Sequence, residues 1–497
     1  MSAHCPRRIS TCAARNFDSN RSRYATRHAS ACTSPMLAAS CFRASRTRVR
    51  VSRRMDPYPV QSSRSPSFAR SAHTIRPPES QWQRFASSDR KAGVSELTIR
   101  TATEADFDDV LTLFLPVFLQ EIEDKDDEWY RNEWEPDRLL LVHDADELIA
   151  TAAILTRQMT LPDVGLRPFA AVTTVAVKTG HRRRGALTKM MRTQLHDLHE
   201  QGREPVAALW ASEAGIYGRF GYGLASQYLR AHIPKGVPFR PGTDVGKDRV
   251  RLVSREEALP LVTALYDRVA PQRTGWLSRD ERAWAGYLWD TPHWREGASP
   301  LKFAVHPDGY VIYRTKRKWG ERGPEGELNV LELVAATPVG AAALWRFLLD
   351  FDLVGEIEAP IPVDDALINL VQDPRQVVRT QRDALWVRLV DVDRALVERR
   401  YSAPLDTVFE VTDVLCPWNQ GRWRMVVDSS GSATVERTDA DADLLVDTTD
   451  LAAAYLGGVR LSDLAAAGRV RELTPGALIP ASRAFLGDQH PFCPQVF

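Results

Sequence analysis

The chain is poor in cysteine. It has six in 497 residues, and four of them (Cys5, Cys12, Cys32 and Cys41) fall near the start. Cys416 and Cys493 alone cannot make a disulfide framework, and no Cys/His spacing resembles a zinc site, so no metal is expected. No apolar run approaches the ~18 residues of a membrane-spanning helix, so no transmembrane segment is expected. A conventional secretory signal is also missing, since no sustained apolar stretch follows the first arginines. These absences suit a reducing compartment, the cytoplasm, with secretion left open. Lysine is absent from residues 1–90, which hold 17 Arg, 17 Ser and only four acids, Asp18, Asp56, Glu79 and Asp89. The formal charge of +1 therefore sums two unlike parts, +13 over residues 1–90 and −12 over the rest. An acidic body lacks the clustered cations that nucleic acid requires. Cationic partners suit it better.

Length predicts roughly three domains at ~150 residues each. Residues 1–94 lack apolar periodicity and cannot offset the entropy of ordering. Their Arg/Ser richness resembles a transit peptide, but GC-rich non-coding DNA read in frame gives the same composition. A mis-called start is the favoured reading. From Glu96 the pattern becomes regular. An entry strand, Glu96–Arg100, leads to a helix through Phe107, Val110, Leu111, Phe114 and Phe118. An acidic segment follows, from Glu121 to Asp137, and then a hairpin of Leu139–Val142 and Leu148–Leu155.

The stretch 170–226 carries the chemistry. Ala171–Val177 is a β-branched run with the length of a buried strand. After Lys178-Thr-Gly-His-Arg-Arg-Arg-Gly185 comes a helix through Leu187, Met190, Met191, Leu195 and Leu198, all on one face. A strand entering a Gly-containing loop that opens a helix is an anion site: main-chain N–H groups and the helix dipole favour phosphate oxygens. Arg182, Arg183 and Arg184 add cations, and the strand offers main-chain groups to an extended, amide-rich arm. Coenzyme A has both features. Pro205–Leu209 is a further strand, followed by Ala211-Ser-Glu-Ala-Gly-Ile-Tyr-Gly-Arg-Phe-Gly-Tyr-Gly223. Beyond residue 236, strands Leu301–Val305, Tyr310–Tyr313 and Leu328–Val334 and a helix Gly340–Phe351 are predicted. From about Ala403, strands Val408–Val414, Arg422–Val427 and Ser432–Arg437 precede helices Leu451–Leu456 and Leu461–Ala467, the pattern of a small α+β module.

His181-Arg-Arg-Arg-Gly-Ala resembles the (Gln/Arg)-x-x-Gly-x-(Gly/Ala) signature of the GNAT superfamily of N-acetyltransferases, with Leu187 at the last position. With the Ala211–Gly223 block, Ala454-Tyr-Leu-Gly-Gly458 and the Phe-ended terminus, the chain resembles the enhanced-intracellular-survival (Eis-type) branch over about Glu96 to Phe497. The resemblance implies an α/β (α+β) fold of tandem GNAT domains, each a mainly antiparallel sheet with flanking helices, plus a C-terminal sterol-carrier-protein-like domain. The divisions expected are 95–235 for the catalytic GNAT domain, 236–398 for a degenerate second copy and 399–497 for the last domain. It also implies a homo-hexamer and acetyl-CoA as co-substrate. By resemblance, Val175, Ala176 and Val177 bind pantetheine, while Arg183, Arg184, Gly185, Ala186, Leu187 and Thr188 cradle the phosphates. Ser212 and Glu213 lie beside the channel. The valines serve equally as core residues, and Ser212-Glu213 could cap a helix.

Acetyl transfer to an amine needs a neutral nucleophile and a proton for the departing thiolate. In the family a Tyr hydroxyl is the acid and the chain-terminal carboxylate is the base; these positions correspond to Tyr217 and Phe497. Tyr217 could instead be a packing aromatic, Tyr222 competes with it, and Phe497 could be a frayed terminus. The acidic segment is expected to attract cationic amines such as aminoglycosides, polyamines or lysine side chains. A solvated charged loop is the alternative reading of it. The alternatives for the whole chain are a lipid-binding or regulatory protein with a vestigial acetyltransferase site, and a protein-lysine acetyltransferase.

Overall fold

The computed structural model describes residues 96–121 and 126–497. The expectations for residues 1–94, and for Glu123 and Asp124 of the acidic segment, lie outside the described residues. The first sheet has seven strands. Its early strands are β1 (Thr98–Thr101), β2 (Leu139–Asp144), β3 (Glu147–Leu161), β4 (Gly165–Val177), β5 (Val206–Trp210) and β6 (Gly223–Leu224). Leu385–Leu389 fits between β5 and β6. The β1–β4 run is antiparallel, as the alternation and the Asp144-Ala-Asp146 turn predict, with Ala145 at a positive φ in that turn.

Two helices cover the sheet. Helix α1 (Phe107–Val117) packs on the face carrying Leu139, Leu141 and Ala153. The entry to α1 is fixed by Asp106, whose carboxylate accepts from Thr103 N at 2.7 Å and from the Arg100 guanidinium. A short α2 (Asp127–Asn132) follows. Helix α3 (Ala186–Gln201) covers the opposite face, burying Met190, Met191, Leu195 and Leu198 against Val142, Ala150, Ala152 and Ile154. That stripe is the one its spacing predicts.

A second seven-stranded sheet holds β7 (Gln227–Pro234), Arg251–Val253, Lys302–His306, Gly309–Lys316, Gly326–Ala335, Val354–Pro362 and Val378–Asp383. Helices α4 (Arg255–Val269), α5 (Glu281–Tyr287) and α6 (Pro338–Leu349) accompany it. Side-chain caps start all three: Ser254 accepts from Glu257 N, Asp280 from Ala283 N and Thr337 from Gly340 N. The two sheets exchange strands. Leu385–Leu389 lies in the first and β7 in the second, so the divisions at 235 and 398 separate stretches of chain whose sheets interlock.

The C-terminal sheet has five strands, in which the three read from the sequence pair antiparallel and Leu405–Thr412 also pairs in parallel with Leu444–Asp447, which the sequence reading did not name. Its side chains join one buried cluster with Leu155, Phe169, Ala171 and Val206 of the first sheet. Two buried contacts lock this union. Arg388 pairs with Asp413 at 2.6 Å and donates to Thr448 at 2.8 Å. Gly221 and Gly223 give the space: a Cβ on Gly221 would sit 2.6 Å from the Arg388 guanidinium, and one on Gly223 would sit 2.0 Å from Thr449 O. Among the described residues, no helix is long and apolar enough to cross a membrane.

Gly223→Ala forces backbone apart rather than a flexible side chain, so a cost of about 1–3 kcal/mol is expected. The expected outcome is a lower Tm. An unchanged Tm would show that the helix Thr448–Ala454 does not dock here as described.

Candidate functional site

The sheet is opened at its centre. Strands β4 and β5 run parallel, but their ladder holds only Ala170–Ala207 and Ala171–Ala208. Beyond Ala171, β4 pairs with β3 alone, and that pairing shifts register between Thr151 and Ala153, opposite Thr173–Ala176. Thr174 sits in the shift with φ +52°, a left-handed conformation costly for a β-branched residue. A wedge therefore opens between the C-terminal ends of β4 and β5, and main-chain groups on one edge of β4 face it.

A cavity of about 410 Å³ fills that wedge. Val172–Val175 line it from β4, and Leu209 to Ser212 from the end of β5. Phe107, Phe114 and Phe118 enter from α1 and the turn after it, and Trp129 and Tyr130 from α2. The second domain contributes Gly286, Tyr287, Trp294, Arg382 and Asp383. The chain end supplies Gln495, Val496 and Phe497. Sequence reasoning named Val175, Ser212, Tyr217 and Phe497, and all four line this cavity. It missed the second-domain wall. Trp289 and Trp294 are the available signal, since indoles at this density in a short connection have to be packed against something.

Tyr217 is 5% exposed, and burial, with the charge of Glu213 adding to it, pushes its hydroxyl up to about 12. Glu213 does not line the cavity; it is exposed on the adjoining turn. No side-chain cap precedes the turn Tyr217–Phe220. Tyr222 is buried behind Tyr217, ring centroids 5.9 Å apart, and is also pushed up by burial. Only Tyr217 of the two reaches the cavity.

The chain end is held by several contacts. Phe492 N donates to Thr274 O at 2.9 Å, and the Phe497 ring meets Phe169 edge-on at 5.8 Å. Gln495 Oε1 accepts from Arg279 Nε at 2.8 Å. Arg279 is itself fully buried, bidentate to Glu332 at 2.7 and 3.1 Å and stacked over Tyr266, Trp284 and Tyr287. Cys493 is buried and its thiol is pushed up to about 12, so it is a packing group.

The Arg/Gly loop lies at the start of α3. Gly185 is the N-cap at φ +91°, and a Cβ there would meet nothing within 4 Å. Open space above a helix N-terminus fits a phosphate group. Arg183 also has a positive φ, and Arg182 and Arg183 are exposed, without ion pairs among the described residues. Arg184 is occupied: it pairs with Asp144 at 2.5 Å. Ala186 is buried in the core, Leu187 packs beside it, and Thr188 is exposed. Ala176 is buried while Val175 and Val177 pack only partly, and of these three Val175 alone lines the cavity.

Three acids of the acidic segment are committed to structure. Asp126, 5% exposed, accepts from the indoles of Trp289 (3.0 Å) and Trp294 (2.8 Å) and meets His293 Nε2 at 2.6 Å. It thereby ties α2 to the second domain. Glu133 pairs with Arg157, and burial pushes its carboxyl up. Glu135 accepts from Thr156 N and Oγ1. Among the described residues, no group of His, Cys, Asp and Glu is placed to hold a metal ion.

Three family models match. An acetyltransferase (GNAT) domain covers residues 98–225, a second acetyltransferase (GNAT) domain covers 275–406, and a sterol carrier protein domain covers 392–494. An uncharacterized N-acetyltransferase of Streptomyces avermitilis is 44% identical over 372 residues, 73% of this chain and 90% of that protein. The N-acetyltransferase Eis of Mycobacterium tuberculosis is 34% identical over 355 residues, 69% of this chain and 84% of that one. The crystal structure of Eis1 from Mycobacterium abscessus superposes with a TM-score of 0.71 at 34% identity, covering 80% of this chain and all of that one. A GCN5-related N-acetyltransferase from Anabaena variabilis shares the fold at a TM-score of 0.70 and 20% identity.

Asp126→Asn removes the charge from four hydrogen bonds. Charge-assisted bonds contribute about 1.5–3 kcal/mol each, though not additively. The expected result is a Tm lower by a few degrees and a red shift of tryptophan emission as the Trp289–Trp294 loop loosens. Unchanged emission would show that Asp126 does not hold that loop.

Proposed function

Because the chain belongs to the Eis-type N-acetyltransferases of the GNAT superfamily, with tandem GNAT domains and a sterol-carrier-like domain, we propose that its cavity transfers an acetyl group from acetyl-CoA to a primary amine, with Tyr217 donating a hydrogen bond to the departing sulfur and the Phe497 carboxylate as base. The observation that carries this reading is the meeting of β4, Tyr217 and the chain end at one cavity. Acetyl-CoA supplies the activated thioester. The unpaired edge of β4 beyond Ala171 suits its two amides, and the open N-terminus at Gly185, with Arg182 and Arg183, suits its diphosphate.

The proton balance assigns the side chains. An alkylammonium, pKa near ~10, must lose one proton to become a nucleophile and a second as the amide forms. One leaves through the base to solvent. The other ends on sulfur. Tyr217 at about 12 stays neutral throughout the working range. Because a thiol sits near ~8.5, complete transfer from Tyr217 is uphill; it stabilises the forming thiolate while the amine's own proton replaces the one it shares. The Gln495–Arg279 bond and the Phe169–Phe497 contact keep the carboxylate's carrier at the cavity. A lysine side chain on a protein presents the same nucleophile, so the same groups serve that substrate. The lipid-binding reading gains nothing from the last domain, whose interior is packed into one cluster with the first sheet.

Tyr217→Phe is expected to lower kcat about 10²-fold with KM for acetyl-CoA within about twofold, and deletion of Phe497 from untagged protein should do likewise, measured by thiol release. An unchanged kcat in either variant removes that residue from the chemistry. The pH profile separates the roles further. kcat/KM should climb from pH 6.5 to 9 as the amine deprotonates and show no descending limb up to pH 10, since Tyr217 ionises only at about 12. A fall centred near pH 9 would mean that another group is the donor.

A further inference from the structure

The loop that opens α3 is crowded with positive charge. Lys178-Thr-Gly-His-Arg-Arg-Arg-Gly185 holds four permanent cations and a histidine in eight residues, and like charges that close repel one another. The turn between β2 and β3 answers them. Asp144 and Glu147 face each other across that hairpin as a register pair. Asp144 Oδ2 accepts from Arg184 Nη1 at 2.5 Å, and Glu147 Oε1 accepts from Lys178 Nζ at 2.9 Å. His181 Nε2 lies between the two carboxylates, 3.8 Å from Asp144 and 3.6 Å from Glu147. Each end of the loop is therefore tied to the turn.

The two ties differ in consequence. The start of the loop is also held by backbone, since Lys178 N donates to Ile149 O at 2.9 Å and His181 N to Lys178 O at 2.8 Å. Glu147 is 52% exposed, and a solvated pair of that kind contributes little. Arg184 and Asp144 are better covered, at 29% and 16%. Arg184 also stands between two left-handed residues, Arg183 at φ +62° and Gly185 at φ +91°. Glycine takes that conformation without strain, whereas arginine does not. No side chain caps α3 and no acid lies in its first turn. The bend is thus held from outside, through the Arg184 guanidinium. The carboxylate that holds it carries the wrong sign for a diphosphate site, because a negative charge there repels the ligand. Electrostatics alone favours its removal; the path of the loop favours its presence.

We propose that Asp144 is a positioning residue for the coenzyme, acting through Arg184, and that Arg184 holds the bend at Arg183–Gly185 rather than a phosphate oxygen. Arg182, Arg183 and the first N–H groups of α3 are left to meet the diphosphate. This rests on the coenzyme reading of the same loop and divides the labour within it.

Calorimetric titration of full-length protein with CoA tests this without turnover. Asp144→Ala should raise Kd about five- to tenfold although it removes a negative charge, Arg184→Ala should match it, and the double variant should be no worse than either. In turnover, KM for acetyl-CoA should rise by the same factor with kcat within about twofold. KM of Asp144→Ala for S-acetylpantetheine, which has no diphosphate, should stay at the wild-type value. That comparison separates a misplaced loop from a damaged domain, which would depress both donors. Unchanged or tighter CoA binding by Asp144→Ala overturns the proposal. So does a loss in Arg184→Ala well beyond that in Asp144→Ala, since Arg184 would then touch the phosphates itself. If the unsubstituted chain binds CoA and acetylates no amine, acetyl transfer falls while the Kd comparison still decides this inference. If it binds no CoA, both fall.

Discussion

The parallel ladder between β4 and β5 stops at Ala171, and the site follows from that interruption. A continuous ladder would satisfy every main-chain group of β4 and leave no room at the sheet's centre. The shift opposite Ala152 turns β4 away, at the expense of a left-handed Thr174. Strain of this kind persists only where the surroundings over-determine it. Here β3 supplies the constraint, pairing with β4 on both sides of the shift over a span from Ala150–Val177 to Leu161–Gly165. One face of the wedge becomes a surface of unpaired amides, and its mouth is set by α1 and by the N-terminus of α3. The geometry is built by the backbone, so side chains at Val175 and Val177 remain available to the core.

Closing the cavity needs the whole described chain. The first domain gives the wedge, α1 and α2; the second gives the Tyr287–Trp294 wall; the last gives Phe497. Arg279 stands where these meet. An isolated buried guanidinium would be prohibitively costly, but Glu332 takes its charge, three aromatic rings stack on it and Gln495 takes its Nε donor. The result is a fixed peg for the chain end inside the second domain. Asp126 plays the matching part for α2, with four donors from the Trp289–Trp294 loop, Trp289, Thr291, His293 and Trp294. Strand exchange between the sheets makes the arrangement cooperative, because neither sheet is complete without its neighbour's segment.

Features with a local cause were legible in the sequence. The stripe on α3, the turn between β2 and β3 and the Gly185 cap depend on residues close in the chain, and each appears where spacing puts it. The Eis-type relationship was legible too, from the Arg/Gly loop and the Gly-aromatic block. What the sequence hid depends on distant partners. Val354–Pro362 carries Pro360 and Pro362, which argue against a strand, yet it pairs with β7 across that stretch. Leu385–Leu389 has strand composition but nothing local directs it to the first sheet. Gly221 and Gly223 read only as part of the block that carries the family resemblance, whereas the structure spends them on contact with Arg388 and the helix at Thr448–Ala454.

Charge gives the sharpest instance of that divide. A net −12 over the body, with an acidic run between the first helix and hairpin, suggests a field drawing cations inward. Net charge is a statement about the far field, and a cavity responds to the groups within a Debye length, ~8–10 Å, and to how each is paired. Three of the run's members are spent nearby: Asp126 on indoles, Glu133 on Arg157, Glu135 on the Thr156 backbone. Trp129, Tyr130 and Trp134 of the same segment line the cavity beside Glu133 and Glu135. In the fold the segment carries aromatic walls of the cavity, and three of its acids fasten it to its neighbours.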